Sequence, residues 1–509
     1  MKLLAIGMQH HDHNAAYFDG EKLHYHKFER TKQIKHFEYE NRWEIFKDVQ
    51  ELWNFKLDEI DDIVIDYDYA TFFQNIDPEF DLTRPEVLFY RIPKKYNPFE
   101  SFGIKNAWHI SHHYSHALST WMLEDKNNSP RVRVVIDGMG NNKTCTIFEN
   151  NVVIKSVYEA DAGSIGFHMN NAAIWLGVNK VSSLDNAGKV MGLQSYGRVH
   201  DQYLKEISEF GIDNANAIFD LTRWNNYMKD PLLTNLTPLD WIRTVHERVG
   251  DLLVELFSKY VNKEESVSYS GGVAQNVVWN TKLIHNFPNI IIPPHSSDEG
   301  CSLGAIEWLR KYHDLPEFKL ENFPYCQNDY APTTEPTDET IKYAAKMLAE
   351  NKIVGWYQGH GEVGPRALGH RSILMNPAIP LGKEIINSVK KRENYRPFGA
   401  SVLSEYVLDY FKYDIKDPHM LFTNDFKVDT FPAITHVDGT CRTQTVENDG
   451  SAYRKLIEEF YKLTGHALIL NTSLNINGKP IAGYPENAID LFEFSMIDCM
   501  IIGNTILNK

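Results

Sequence analysis

"VRVVIDGMGNNKTCTIFENNVVIKSVYE", residues 132–159, reads as a strand, a polar glycine-rich loop, a second strand, an Asn-Asn turn and a third strand. The run Val132–Ile136 is rich in β-branched residues, as a buried strand should be. The same order occurs at the start of the chain. Lys2–Met8 is largely apolar, "QHHDHN" is polar, and "AAYFDGEKLHYHKF" has the composition of a hairpin turning at Asp19-Gly20. Segments 2–28 and 131–158 therefore resemble two copies of one unit. This predicts a duplicated α/β domain holding a ligand between its halves. Chance recurrence of a common hairpin pattern is the alternative.

Polar residues fall where such a domain keeps its chemistry. Asp137 ends a strand and precedes Gly138 and Gly140, the position at which α/β sheets place ligand groups. It could bind a metal, the glycines could admit a phosphate, or the segment could be a plain tight turn. In "HHDH", residues 10–13, a His beside an Asp could act as a general base or simply form a polar turn. "HISHHYSHALSTW", residues 109–121, places His112 and His116 four apart, on one face if helical. A divalent metal or an ordinary histidine-rich helix both fit that spacing. "SYSGGVAQN" (268–276) precedes a helical pattern whose N-terminus could meet an anion. In "IIIPPHSSDEGCSLGA" (290–305), Asp298 stands before a helical pattern, as a ligand or a cap.

The totals narrow the class. The chain has 509 residues, a net charge of −16, 43% hydrophobic and 24% charged residues. That is a globular composition with material for more than one core. The acidic balance speaks against a nucleic-acid partner. Five cysteines without a CxxC pair fit reduced thiols and a cytoplasmic setting. Only six uncharged residues follow Lys2 before polar ones begin, too few for a secretory signal core, and no apolar run is long enough to span a membrane.

Residues 326–337, "CQNDYAPTTEPT", read as a linker, and "DETIKYAAKMLAENK" as the first helix of a second domain. We therefore expect domains at 1–335 (halves about 1–130 and 131–335) and 336–509. The second contains "GHGEVGPRALGHRSILMNP" and "NSVKKRENYRPFGAS". Between Arg366 and Arg396 stand seven Lys or Arg against two Glu, among glycines and prolines that favour loops. Guanidinium forks suit phosphate and carboxylate oxygens, so a phosphate-rich small molecule is the preferred ligand over a solvated basic surface.

Taken together and in order, "HHDHNAA", "HHYSHA", "DNAGKVMGLQSYG", "SGGVAQN", "EVGPRALGHRS", "KKRENYRPF", "HVDGTCRTQTV" and "LNTSLNINGKPI" resemble the O-carbamoyltransferase family of nodulation, cephamycin and aminoglycoside type. The resemblance spans nearly the whole chain and is weakest at about 30–100 and 200–260. It implies a first domain of actin-like, sugar-kinase-like (ASKHA) fold, like the threonylcarbamoyl-transfer protein. It implies a second domain like YrdC, which forms a carbamoyl adenylate from carbamoyl phosphate and ATP with Mg. The first domain then passes the carbamoyl group to a hydroxyl of a small acceptor.

The resemblance also carries roles onto residues. His112, His116, Asp137 and Asp298 match metal ligands, iron being the expected ion. His11, beside Asp12, matches the general base. Gly138, Lys189, Gly271, Gly272 and Asn276 should meet the nucleotide. Arg366, Arg371, Lys390, Arg392, Arg396, Arg442, Asn471, Ser473 and Asn475 should bind carbamoyl phosphate and ATP. His436, Asp438 and Gln444 lie in the matching HVDGT segment without a firm role. Three departures stand out: His13-Asn14 replaces a small residue and Ser, "RPFGAS" replaces "RPFAPS", and "GLQSYG" replaces "GLAPYG". His13 is thereby a rival base. A tRNA-threonylcarbamoylating enzyme and a non-catalytic nucleotide and metal sensor are the rival functions. The acceptor and the oligomeric state, a homodimer among the options, stay open.

Overall fold

The computed structural model describes the chain except residues 68–77, 105, 126–128, 160–162, 179–182, 208–235 and 333. It is a mixed α/β protein built on three sheets. The first contains β1 (Leu3–Gly7), β2 (Asn14–Phe18), β3 (Leu23–Lys27), β4 (Asp62–Asp66), β5 (Phe89–Arg91) and β6 (Asn106–Ile110), ordered β3-β2-β1-β4-β6-β5. The second contains β7 (Val132–Gly140), β8 (Lys143–Glu149), β9 (Val152–Tyr158), β10 (Val267–Ser270) and β11 (Ile290–Ile291), ordered β9-β8-β7-β10-β11.

The two sheets repeat one topology. In each, two antiparallel hairpin pairings lead into the founding strand, which pairs in parallel with a later strand that in turn pairs in parallel with a third. The sequence duplication is therefore present in the fold, with β5 as an added antiparallel edge. Local chemistry sets the turns. Asn141-Asn142 and Asn150-Asn151 all have positive φ (51°, 61°, 49° and 64°), the twist-matching geometry that Asn tolerates in two-residue hairpins.

Two helices fill the space between the sheets: His112–Leu118 and Cys301–Tyr312. Leu3 and Ala5 of the first sheet, Val135 of the second, and Leu303 and Ile306 share one apolar core. The helices touch so closely that a Cβ on Gly304 would stand 1.8 Å from the Ser115 carbonyl oxygen. The carboxyl ends of the parallel strands thus converge on one point, where open α/β sheets bind ligands.

The third sheet lies wholly beyond residue 353. Its eight strands are β12 (Val354–Tyr357), β13 (Arg371–Met375), β14 (Gly399–Leu403), β15 (Phe422–Asp425), β16 (Thr440–Val446), β17 (Leu468–Ser473), β18 (Cys499–Ile502) and β19 (Thr505–Asn508), ordered β15-β16-β14-β17-β13-β12-β18-β19. The helix expected after the linker runs Asp338–Ala349, with the Thr337 hydroxyl capping the Thr340 N–H. The stretch read as a linker is tied down at its start. Gln327 accepts from the Lys27 N–H and donates to the Lys27 carbonyl, and Asp329 pairs with Arg371. No helix among the described residues is long and apolar enough to cross a membrane.

Candidate active site

His112 opens its helix directly after β6, and His116 follows one turn later. Their Nε2 atoms lie 3.1 Å apart. His112 Nε2 is 3.5 Å from Asp137 Oδ2 and 3.5 Å from Asp298 Oδ1, which is also 3.5 Å from His116 Nε2. Donors held about 2.1 Å from one ion at octahedral or tetrahedral angles stand roughly 3.0–3.4 Å apart, so His112, His116 and Asp298 could hold a single divalent cation, with Asp137 beside His112. All four side chains are buried. Room for the His112 ring comes from Gly140, where a Cβ would fall 2.1 Å from His112 Cδ2.

Behind the ligands stands a residue the sequence reading missed. Asp66, fully buried at the end of β4, lies 3.0 Å from His112 Nδ1. A carboxylate on the far nitrogen fixes the tautomer that leaves Nε2 free for a metal. Cys301, also missed, brings its Sγ to 3.7 Å from His116 Nε2 and 3.8 Å from His112 Nδ1. Burial works against charging His112, yet Asp66, Cys301 and Asp298 raise it well above the ordinary imidazole range. The cluster is short of positive charge.

His11 stands beside this centre. Its Nδ1 lies 2.8 Å from Asp12 Oδ2, and its Nε2 is 3.7 Å from Asp298 Oδ2. Burial lowers its pKa, but Asp298 and the hydrogen-bonded Asp12 lift it to about 10. Asp12, with φ of 55°, takes a second imidazole: His36 Nδ1 is 2.8 Å from the same Oδ2. Lys27 Nζ, 2.9 Å away, neutralises the other oxygen. His13 is not a rival base. It is fully buried, stacked on Tyr39, 2.9 Å from the Gln9 carbonyl, and burial lowers it to about 4. Asn14 staples the loop instead, donating to the carbonyls of Asp12 and Asp298 while accepting from the Ser302 N–H.

One cavity of about 670 Å³ runs from His11 and from Asp137, at the edge of this centre, to the basic segment of the C-terminal part; His112, His116 and Asp298 are not in its lining. His11, Asp12, Asp137, Gly138, Gly272 and Asn276 line one end. Arg366, Lys390, Arg392, Arg396, Arg442, Asn471, Ser473 and Asn475 line the other. The Gly272 N–H donates to Asp137 Oδ1 at 2.7 Å. Asn276 Oδ1 caps the helix Val277–Asn286. Lys390 Nζ donates to Asn475 Oδ1 at 2.7 Å and to Ser473 Oγ at 3.2 Å. Asn471 is held by the Ala367 carbonyl and the Ser401 hydroxyl. Arg366 is lowered to about 9 by burial and by Arg442. Burial and Arg396 likewise pull Arg392 well down. This end is short of negative charge.

Three expected contacts fall elsewhere. Lys189 turns away from the cavity and donates to the Val178 carbonyl at 2.9 Å. Arg371 is fully buried behind the wall, pairs with Asp329 at 3.2 Å and lies 3.6 Å over the Tyr357 ring. Gly271 (φ +94°) serves the backbone, donating to the Ser296 carbonyl, and does not line the cavity. The HVDGT segment gains a place: His436 Nε2 lies 3.0 Å from the Gly192 carbonyl, and the Ser195 hydroxyl donates to Asp438, docking "GLQSYG" onto the C-terminal part. Gln444 donates to the Leu368 carbonyl from within the sheet.

Two family models match the chain, Carbamoyltransferase N-terminus over residues 2–306 and Carbamoyltransferase C-terminus over 345–509. The nodulation protein NolNO of Sinorhizobium fredii is 30% identical over 440 residues, covering 79% of this chain and 64% of its own length. A 3'-hydroxymethylcephem-O-carbamoyltransferase of Amycolatopsis lactamdurans is 27% identical over 344 residues, covering 63% of this chain and 65% of its own. Among solved structures, T. kodakarensis HypF aligns over 62% of this chain and 48% of its own, with 12% identity and a TM-score of 0.40.

Proposed function

Because the chain belongs to the carbamoyltransferase family, we propose that it is an ATP-dependent O-carbamoyltransferase that works in two steps within one chamber. The observation that carries this reading is the continuity of the cavity from His11 and Asp137, at the edge of the His/Asp centre, to the basic end. In the first step, at residues 336–509, water splits carbamoyl phosphate into carbamate and phosphate, and the carbamate oxygen then attacks the α-phosphorus of Mg-ATP, giving carbamoyl adenylate as pyrophosphate leaves. Arg366, Arg392, Arg396 and Arg442 hold the phosphates, which their mutual repulsion favours. Lys390 shapes the Ser473–Asn475 turn that borders them.

In the second step, in residues 1–335, a hydroxyl of a small polyhydroxylated acceptor attacks the carbamoyl carbon and AMP leaves. With Asp298 engaged by a cation the pull that lifts His11 is relieved, and its unprotonated Nε2 takes the hydroxyl proton while Asp12 fixes the ring through Nδ1. His112, His116, Asp137 and Asp298 would hold a divalent ion, iron on this mixed imidazole and carboxylate set, which supplies Lewis-acid polarisation and charge neutralisation when bound. Gly138 and Gly272 let the nucleotide approach the backbone beside them. The acidic overall charge supports a small-molecule acceptor rather than a nucleic acid. All five cysteines are free thiols, in keeping with a reducing, cytoplasmic setting.

The test needs no acceptor. Metal-loaded protein is incubated with ATP and carbamoyl phosphate, and carbamoyl adenylate and pyrophosphate are sought by mass spectrometry. Both are expected. Their absence, with a product from bicarbonate and threonine instead, would move the chain to the threonylcarbamoyl reading. Failure of both would favour a nucleotide and metal sensor.

A further inference from the structure

Beside the main chamber lies a smaller open cavity of about 250 Å³, bounded by Gln33–His36, Asp185 and Gly478–Lys479. Lys35, His36, Asp185 and Gly478 border both spaces, so the smaller one is a vestibule of the larger. It leads to the base. His36 shares the Asp12 Oδ2 atom with His11, and the two rings stand 6.1 Å apart in a T-shaped arrangement. The nucleotide and phosphate groups of the proposed reaction are met elsewhere, at the arginine end and along Gly138 and Gly272.

The charge of this vestibule is specific. Asp185, its one carboxylate, is already engaged by the Lys35 ammonium and by His36 Nε2 at 3.4 Å. Asp12 beneath it is engaged by Lys27, His11 and His36. Lys479 forms no ion pair among the described residues. Among the described residues the wall therefore presents the Lys479 ammonium outside any ion pair and no uncompensated carboxylate. A polycationic acceptor would meet the Lys479 ammonium and find Asp185 already taken by Lys35 and His36. Hydroxyl and carboxylate groups would meet donors.

Resting on the carbamoyltransferase reading, we infer that the acceptor enters through the vestibule between Gln33–His36 and Gly478–Lys479 and is a neutral or anionic polyhydroxylated molecule of the sugar class, not a polycationic amino sugar. The transfer is the one written above: the acceptor oxygen bonds to the carbamoyl carbon, its proton passes to His11, and AMP departs.

The experiment offers enzymatically formed carbamoyl adenylate an equimolar mixture of a neutral oligosaccharide, an oligouronate and the polycation kanamycin, and mass spectrometry finds which is carbamoylated. Carbamoylation of the oligosaccharide or the oligouronate with kanamycin spared is expected. Carbamoylated kanamycin, or adenylate formed with none of the three modified, overturns the inference. Absence of adenylate is instead the failure of the underlying function. Lys479→Glu is the second arm. It should raise KM for whichever of the two sugars is modified at least tenfold for the oligouronate, and less for the neutral one, while adenylate still forms. An unchanged KM overturns the vestibule as the entry.

Discussion

The two ends of the chamber fail electrostatically in opposite directions. At the His/Asp centre, Asp66, Asp137 and Asp298 crowd two imidazoles, and His112 and His11 are driven towards protonation. At the basic end, burial and the neighbouring Arg396 and Arg442 guanidiniums lower the pKa of Arg366 and Arg392, and burial lowers that of Arg442. A cation relieves the first strain and a polyanion the second. Each end is therefore complete only with a ligand of a stated sign. The division also says which half-reaction each should lose when altered.

The sharpest way to break this contrast is a pair of substitutions. Arg366→Ala removes a phosphate donor at the basic end. Charged hydrogen bonds contribute about 1.5–3 kcal/mol each, so adenylate formation should fall at least roughly tenfold to a hundredfold, and transfer with it. His11→Ala should spare adenylate formation and lower transfer by about 10²–10⁴-fold, the usual contribution of a positioned base. Rapid-quench measurement of adenylate and of carbamoylated product separates the two. Unimpaired adenylate production in the Arg366 variant would show that the basic end does not do the first step.

A second substitution probes the metal end without touching a ligand. Asp66→Asn keeps the shape but weakens the partner of His112 Nδ1. Loss of such a partner commonly lowers metal affinity about 10–100-fold. Metal content after dialysis against a graded chelator reads this directly, and adenylate formation should be unchanged. Equal metal retention in wild type and variant would mean that Asp66 serves packing alone.

Ligand binding should also stabilise the two ends separately. At a hundredfold excess over Kd, a ligand that binds only the folded state adds about 2.7 kcal/mol. Pyrophosphate should raise Tm in wild type and Asp66→Asn but little in Arg366→Ala. A divalent cation should do the reverse. A single variant that abolishes both shifts would join the ends into one thermodynamic site.

Much of this was legible in the chain. The duplicated units are written in β-branched runs and Asn pairs, and those pairs do take the positive-φ turns that their side chains tolerate. His112, His116, Asp137 and Asp298 come together because each sits at a strand end or first helical turn, where residue type and position carry the signal. Asp66 had the same signal, a carboxylate closing the strand "DIVID", and its likeness to Asp137 could have found it. Cys301 and His36 had none. Their roles come from contacts across 185 and 24 positions, which no local pattern encodes. Charge type misled at Lys189 and Arg371, because a sequence shows that a side chain is cationic and not which way it points.

That last point yields the smallest effect on activity. Arg371 is as basic as Arg366 and lies in the same motif, yet it pairs with Asp329 inside the wall and donates to the Gln358 and Tyr330 carbonyls. Removing one partner of a buried pair costs about 3–5 kcal/mol, so Arg371→Met should lower Tm sharply. Lys189→Met should cost about 1–3 kcal/mol, by leaving the Val178 carbonyl without its donor. Neither variant, assayed below its own melting transition, should change KM for ATP or carbamoyl phosphate by more than a small factor. A tenfold rise in either KM at full folding would return that residue to the binding surface. It would also show that the cavity wall moves during turnover, because both side chains now lie behind it.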